Sequence, residues 1–252
     1  VLQKVEPDEI YHLAGFSSPA EAEKQPQLVY NVNFRGTENV FIAAAGMKER
    51  PRILVVSSAH VYGQPKYLPI TEEHPLKGKG AYAKSRIAQE MLVSDWCSEL
   101  SINVARSFNH TGPGQSDTMV LPKAAKQIVE LKLGKRKALE LGNIYLRRDL
   151  SDVRDVVRAY CLLLMSDVKN VTVNVCRGES MLLRDMVESM ARLTGLADVP
   201  IITDTAAIRA DDPPDVYGSH DKLTALTGWR PEISYEEMIM GVYKYWNNIR
   251  IY

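Results

Sequence analysis

Short apolar runs alternate with longer amphipathic stretches along most of this chain, and this alternation constrains the fold most strongly. The runs are short and rich in β-branched residues, as expected of strands buried on both faces. The clearest are Glu9–Ala14, Arg52–Ser57, Ile102–Ser107 and Val171–Val175. Strands that alternate with helices in this way predict an α/β fold, a doubly wound parallel sheet covered by helices.

The intervening stretches carry apolar residues at spacings of three and four, which predicts helices. The predicted helices are Gln25–Lys48, about Ala81–Leu100, about Leu121–Leu133, Ser151–Leu164, Leu182–Leu193 and Ser234–Trp246. The last begins with the sequence SYEEM, in which a serine N-cap precedes an acidic first turn.

Composition excludes several classes of protein. The 252 residues include 31 Lys+Arg and 31 Asp+Glu, and 45% are hydrophobic. A disordered acidic tail or a polybasic nucleic-acid binder would carry a large net charge, which this chain lacks. No apolar run approaches the ~18 residues of a membrane span. The three cysteines are far apart and fit neither a disulfide framework nor a zinc pattern, which predicts a cytoplasmic protein without a bound metal.

Polar residues follow three of the predicted strands at the point where each strand ends. These segments are 12–15 (HLAG), 57–60 (SSAH) and 107–110 (SFNH). Ligands of open α/β sheets bind beyond the carboxyl ends of the strands, so we expect the functional site there.

A Ser, a Tyr and an Arg in this region suggest proton-transfer chemistry. Ser58 ends a strand, and Tyr82 lies near the start of the next helix, one turn before Arg86. A phenol titrates near ~10, so it exchanges protons at neutral pH only where a cation stabilises the phenolate. We therefore predict that Ser58 orients a substrate oxygen, that Tyr82 donates the proton and that Arg86 is the cation.

Several motifs in order resemble the extended short-chain dehydrogenase/reductase family, which modifies nucleotide sugars. They are HLAG (12–15), NVNFRGT (31–37), SSAHVYG (57–63), YAKSR (82–86), SFNHTGPGQS (107–116), RRDLSDVRDVV (147–157), NVCRGES (174–180) and RADDPPDVYGSHDKL (209–223). Within the family, the chain most resembles GDP-4-keto-6-deoxymannose reductases and their GDP-mannose 4,6-dehydratase relatives. The resemblance implies a Rossmann-like domain over 1–110 and a mainly substrate-binding portion over 111–252, some segments of which return to the sheet.

The resemblance also assigns roles to residues. Ser58, Tyr82 and Arg86 match the catalytic positions. The residues that match cofactor-binding positions are His12, Ala14, Gly15, Asn33, Ser57, Tyr82, Arg86 and Phe108. Those that match substrate-binding positions are His60, Asn109, Arg148 and Arg209. Asp149, Asp152 and Asp155 are expected to cap and pair locally. The family implies NADP or NAD as cofactor, a GDP-sugar as the expected substrate, and a homodimer built on the helices that begin near Gln25 and Ala81.

The chain departs from the family's pattern in three places. Arg86 replaces the family's lysine, and a planar guanidinium would hold ribose hydroxyls differently. The family's glycine-rich first unit does not precede the first strand, so we expect roughly 50–60 residues before Val1. Ala59 and His60 stand where dehydratases carry an acidic pair, which favours simple hydride transfer. Two alternatives stay open: a nucleotide-sugar-binding protein or partner subunit with reduced activity, and a nucleotide-sugar 4-epimerase.

Overall fold

The computed structural model describes residues 2–196, 198–204 and 212–249. They form two compact units. The first unit contains the described residues up to Phe108, together with Val157–Val175 and Ser219–Trp229. The second contains Asn109–Val156, the described residues of Cys176–Gly218, and those from Arg230 onward.

The strands are short, as the apolar runs predict. In chain order they are β1 (Glu9–His12), β2 (Arg52–Ser58), β3 (Ser101–Ser107), β4 (Asn109–Thr111), β5 (Leu139–Leu141), β6 (Arg147–Arg148), β7 (Leu150–Asp152), β8 (Thr172–Val175), β9 (Met181–Leu182), β10 (Ile201–Thr203) and β11 (Asp215–Val216).

The helices include all six that the sequence predicts, together with three short ones that it does not predict, at Leu2–Val5, Pro19–Lys24 and Asp221–Thr227. They are α1 (Leu2–Val5), α2 (Pro19–Lys24), α3 (Pro26–Tyr30), α4 (Gly36–Ala45), α5 (Gly80–Trp96), α6 (Val120–Lys132), α7 (Val153–Met165), α8 (Leu183–Leu193), α9 (Asp221–Thr227) and α10 (Tyr235–Asn248). The helix predicted over Gln25–Lys48 consists of α3, a π-helical turn at Asn31–Arg35, and α4. Ser234 caps α10 in a capping box with Glu237, which confirms the predicted start.

A four-stranded parallel sheet forms the centre of the first unit, in the order β1-β2-β3-β8. The predicted parallel α/β arrangement is therefore confirmed. His12 pairs with Val55, and Ser58 pairs with Ser107. Because the strands are parallel, their carboxyl ends lie at one edge of the sheet.

One face of this sheet packs against α4 and α5. Alternate residues of β2 and β3, among them Ile53, Val55 and Val104, form a buried cluster with Phe41 of α4 and Leu92 of α5. Side chains alternate between the two faces of a strand, so Ser57 continues the β2 row toward the same helices. Arg106 continues the β3 row in the same way.

The second unit has its own core, formed mainly by α6, α8 and α10. Its small sheets pair β4 with β7, β5 with β10, and β6 with β9 and β11. Within the part of the chain that the structure describes, no helix is long and apolar enough to cross a membrane.

Candidate active site

The turn after β2 brings Ser58 and His60 beside the start of α5. The Ser58 side chain is almost fully buried, and its hydroxyl oxygen accepts a hydrogen bond from the His60 N–H at 3.3 Å. The His60 ring meets the Tyr82 ring edge to face, with 5.5 Å between centroids. Tyr82 is itself 7% exposed. The hydroxyl-bearing turn and the phenol-bearing helix therefore meet at the carboxyl edge of the sheet, where sequence placed the site.

Arg86 lies next to Tyr82, and its side chain is almost fully buried, with 5% of the residue exposed. Its Nη1 donates to the Val56 carbonyl oxygen at 3.0 Å, and its Nη2 donates to the Phe16 carbonyl oxygen, also at 3.0 Å. The guanidinium carbon is 5.4 Å from the centroid of the Tyr82 ring, within cation–π range. Arg86 Nε is buried without a hydrogen-bond partner among the described residues. The Arg86 guanidinium group thus joins the end of β2 to the turn after β1 and keeps a positive charge next to Tyr82.

Gly15 makes this close approach of the β1 turn possible. An ideal Cβ at Gly15 would lie 2.8 Å from Arg86 Nη2 and 2.8 Å from Asn33 Oδ1. Asn33 is fully buried in the π-helical turn; its Oδ1 accepts from the Phe16 N–H, and its Nδ2 donates to Ser85 Oγ, both at 2.8 Å. π-helical turns are rare and are frequent at functional sites. A side chain larger than hydrogen at position 15 would displace groups that are already hydrogen-bonded.

The hydrogen bonds around Thr37 fix the proton of His12. The Thr37 hydroxyl donates its one hydrogen to the Asn33 carbonyl oxygen at 2.7 Å and accepts from Gln89 Nε2 at 2.6 Å. His12 Nε2, 2.9 Å from the same hydroxyl oxygen, must therefore be the donor. Burial and then the charge of Arg86 lower the pKa of His12, which favours the neutral ring.

Two other predicted cofactor residues lie near this edge. The Ser57 hydroxyl donates to Glu90 Oε1 at 2.5 Å, so it is held inside the protein. Phe108 is buried, with its ring centroid 6.4 Å from that of Tyr62. Ala14 and Gly15 are exposed at the end of β1.

A cavity of about 390 Å³ opens beside this turn. It is lined by Gly15, Phe16, Ser17, Ser18, Glu21 and Val32. The Ser18 hydroxyl accepts from the Glu21 N–H as the N-cap of α2. The cavity wall thus combines apolar surface, which includes Phe16 and Val32, with the polar side chains of Ser17, Ser18 and Glu21, next to the residues predicted to contact a cofactor.

Two other predicted substrate residues, Asn109 and Arg148, belong to the second unit. Asn109 is exposed at the start of β4. Arg148 Nη1 donates to the carbonyl oxygens of Pro213 and Arg147, each at 2.8 Å. Arg209 lies outside the described residues.

Asp149 organises the loops around Arg148. It is 1% exposed and accepts backbone hydrogen bonds from Arg177, Gly178 and Gly218. Burial raises its pKa to about 6, while the three backbone donors act in the opposite direction. Asp152 pairs with its neighbour Arg154. The predicted local pairing is confirmed for Asp152, whereas Asp149 and Asp155 accept hydrogen bonds from backbone N–H groups that are distant in sequence.

The sequence analysis missed four buried polar residues near Tyr82. They are Ser85, Gln89 and Glu90 on α5, and Arg106 on β3. The sequence did contain an indication of these residues. Strand alternation places Ser57 and Arg106 on the face of the sheet that helices cover, and a buried charge there requires a partner. No group of three or more His, Cys, Asp or Glu side chains suited to a metal ion occurs among the residues that the structure describes.

The sequence also matches a known protein family. The family model described as GDP-mannose 4,6 dehydratase matches residues 1–242. The chain belongs to the GDP-mannose 4,6 dehydratase family. The ordered motifs of the sequence predict membership of this family, and the prediction is confirmed.

Individual members of the family show how far the similarity extends. The GDP-6-deoxy-D-mannose reductase of Pseudomonas aeruginosa is 36% identical over 247 residues, which is 96% of this chain and 81% of that protein. The GDP-6-deoxy-D-talose 4-dehydrogenase of Aggregatibacter actinomycetemcomitans is 28% identical over 229 residues, 90% of this chain and 76% of that protein. The solved structure of RMD from Pseudomonas aeruginosa in complex with NADPH superposes with a TM-score of 0.90 at 36% identity, covering 96% of this chain and 82% of that one. The Rossmann-like fold is therefore shown.

Proposed function

We propose that this chain is an NAD(P)-dependent oxidoreductase that reduces a nucleotide-linked 4-keto-6-deoxy sugar, with a GDP-sugar as substrate. The observation that carries the proposal is the 36% identity, over 96% of the chain, to a GDP-6-deoxy-D-mannose reductase. The meeting of the Ser58 turn with Tyr82 supports the same reaction class.

The residues of the first unit fit a dinucleotide. The cavity of about 390 Å³ beside Gly15 lies beyond the carboxyl end of β1, where open α/β sheets bind such ligands. In this proposal the turn at 12–15 and Phe108 would hold the cofactor, whereas Asn33 and Ser57 would shape the site through their bonds to protein atoms. When bound, NADPH or NADH supplies the hydride.

The chain's own residues supply the proton and orient the carbonyl. Ser58 donates a hydrogen bond to the C4 carbonyl oxygen of the sugar. Tyr82 transfers its phenolic proton to that oxygen as hydride reaches C4, so a C=O becomes a CH–OH group. Arg86, beneath the Tyr82 ring, favours the resulting phenolate through its charge.

The residues after Ser58 favour reduction over dehydration. Water elimination requires a base for the proton next to the carbonyl, and Ala59 supplies none. His60 packs its ring against Tyr82. We propose that it orients the sugar, while Arg148 and Arg209 bind the diphosphate through planar, charged guanidinium groups and Asn109 through its neutral amide.

We also propose a cytoplasmic homodimer. Met91 of α5 is 65% exposed, and Ile42 of α4 is 54% exposed. Leu92 and Trp96 instead pack in or against the core of the first unit. Among the described residues, Cys97, Cys161 and Cys176 form no disulfide, which suits a reducing compartment.

Tyr82→Phe tests the proposed chemistry. With NADPH and GDP-4-keto-6-deoxymannose, we expect kcat to fall about 10²–10⁴-fold because the proton donor is lost. The Kd for NADPH, followed by its fluorescence, should change little. Tyr30→Phe, on the outer side of α3, is the matched control and should leave turnover intact.

The possible outcomes separate the alternatives. Unchanged turnover in Tyr82→Phe would exclude Tyr82 as the proton donor. Binding of the GDP-sugar without binding of NADPH would support a nucleotide-sugar-binding protein instead. Interconversion of C4 epimers with NAD would support an epimerase.

A further inference from the structure

Helix α5 packs on the sheet with a face that is apolar in one half and polar in the other. Leu92 and Val93, toward its end, join the apolar cluster of β2 and β3. The buried positions between Ala83 and Leu92 are instead polar or charged. These four residues, which we call the buried polar face of α5, are Ser85, Arg86, Gln89 and Glu90. A helix on a sheet ordinarily buries an apolar stripe, so this half requires another explanation.

Each residue of the buried polar face bonds to a different part of the first unit. Ser85 accepts from Asn33, and Gln89 donates to Thr37. Arg86 reaches the turn after β1 and the end of β2, as described above. Glu90 bonds to Ser57 and Arg106, the last residues of β2 and β3 that face the helices. Four residues therefore hold the helix in place through hydrogen bonds and an ion pair, which have preferred directions, and not through apolar contacts alone.

Glu90 and Arg106 form the most heavily bonded of these contacts. Arg106 Nε lies 3.1 Å from both carboxylate oxygens of Glu90, and Nη2 lies 2.7 Å from Oε2. Their side chains are 7% and 9% exposed. Arg106 Nη1 also donates to the Tyr62 hydroxyl and to the Glu72 carbonyl oxygen. Burial acts to lower the pKa of Arg106, but bonds to Glu90 and Tyr62 outweigh it and raise the pKa.

A satisfied buried ion pair is weak evidence for stability, because a well-packed apolar pair is often at least as stable. It does fix geometry, since each bond has a preferred length and direction. Ser57, the other residue bonded to Glu90, directly precedes Ser58. The same carboxylate thus ties the strand that carries Ser58 to the helix that carries Tyr82.

We propose that the buried polar face of α5 is a positioning device, and that Glu90 and Arg106 are positioning residues for the reaction. They set the axial and rotational placement of α5, and hence the place of the Tyr82 phenol relative to Ser58. This inference rests on the proposed function. A misplacement of about 1 Å can lower a rate about 100-fold, so directional bonds have a use here that apolar packing lacks.

The test replaces the ion pair with two apolar side chains of similar length, Glu90→Met with Arg106→Met. We expect the double variant to fold with a Tm near that of the wild type, because no charge is left unpaired. Its kcat should fall about 10–100-fold, with KM for the GDP-sugar within about threefold. Glu90→Gln alone should lower Tm by about 6–20 °C, because it leaves Arg106 buried without a counter-charge.

The matched control is the ion pair at the opposite end of the same sheet. Arg52 Nη2 lies 2.6 Å from Glu9 Oε1, where β1 and β2 begin. Glu9→Met with Arg52→Met should leave kcat unchanged. If the first double variant does not fold, Gln89→Met takes its place with the same readouts; it removes the bonds of Gln89 to Thr37 and Arg86 and leaves the bonds of Arg86 to Val56 and Phe16 in place.

A second readout works without turnover. Tyrosine labelled with ¹³C at the ring ζ carbon gives one NMR resonance for Tyr82, identified by its loss in Tyr82→Phe. This resonance should shift or broaden in Glu90→Met/Arg106→Met and stay in place in the control. Unchanged kcat in an active enzyme overturns the inference and leaves the proposed function standing. If the wild type is inactive, the proposed function fails, and an unmoved Tyr82 resonance then overturns the inference separately.

Discussion

Gly15→Ala should destabilise the first unit although it adds only one methyl group. The new Cβ would lie 2.8 Å from Arg86 Nη2 and from Asn33 Oδ1. Ordinary contacts with carbon begin near 3.5 Å, so both groups would have to move by about 0.7 Å. Both are held in place by bonds to Phe16, and Arg86 also by its bond to Val56.

The magnitude follows from these contacts. Overpacking in a tight site costs about 1–3 kcal/mol, and each hydrogen bond that is weakened costs up to about 1 kcal/mol. We therefore expect Gly15→Ala to lower the free energy of unfolding by about 2–4 kcal/mol. Gly36→Ala makes the same chemical change at the start of α4, where nothing lies within 4 Å of the added Cβ. It should raise the free energy of unfolding by about 0.5–1 kcal/mol, because alanine favours a helix over glycine.

Urea denaturation followed by tryptophan fluorescence measures this difference. Trp96 and Trp229 belong to the first unit, and Trp246 belongs to the second. Trp246→Phe in every variant restricts the signal to the first unit. In the double variant Gly15→Ala/Arg86→Met, the alanine should lower the free energy of unfolding by less, because the close contact with the Arg86 guanidinium is removed and the contact with Asn33 remains. The reasoning is refuted if Gly15→Ala is as stable as Gly36→Ala, or if its cost is the same with and without Arg86.

Two further predictions concern pH and assembly. The pKa of His12 is lowered in the folded chain, so below the ordinary value near 6.5 the unfolded chain binds a proton that the folded chain does not. The free energy of unfolding should therefore fall as pH drops below about 6.5, by up to about 1.4 kcal/mol per pH unit for this group, and less steeply in His12→Gln; equal slopes from pH 5 to 8 would contradict this. Met91→Lys should convert the proposed dimer to a monomer in size-exclusion chromatography with light scattering, because it places a charge on the exposed face of α5; a monomeric wild-type chain would reject the dimer.

Sequence predicted the elements of the fold that depend on local pattern. Apolar alternation located β2 and β3 to within one residue at each end. It extended β1 through Leu13 and Ala14, whereas the paired strand ends at His12, and the two residues beyond it are exposed. The short helix Pro19–Lys24 was missed because its six residues are too few to show a helical period.

The candidate site was predictable only in part, for a physical reason. Ser58 and Tyr82 lie at strand and helix ends, which the pattern locates. Arg86 bonds to Gln89 Oε1 and to two backbone carbonyl oxygens, and the backbone oxygens carry no sequence signature. Strand alternation points Arg106 toward α5, but the helix offers Glu90 and Asp95 as acidic partners, and only the three-dimensional structure selects Glu90.

The two halves of the face of α5 differ in when they can form during folding. Contacts of Leu92 and Val93 with the apolar cluster tolerate imperfect geometry, so they can assist early collapse. The bonds of Glu90 and Gln89 require β2, β3 and α4 to be in place first, and these segments are distant in sequence, so their closure is slow. Native contacts around Tyr82 should thus be largely absent from the folding transition state. Substitutions there would change mainly the unfolding rate, leaving the speed of folding to the apolar half of the helix.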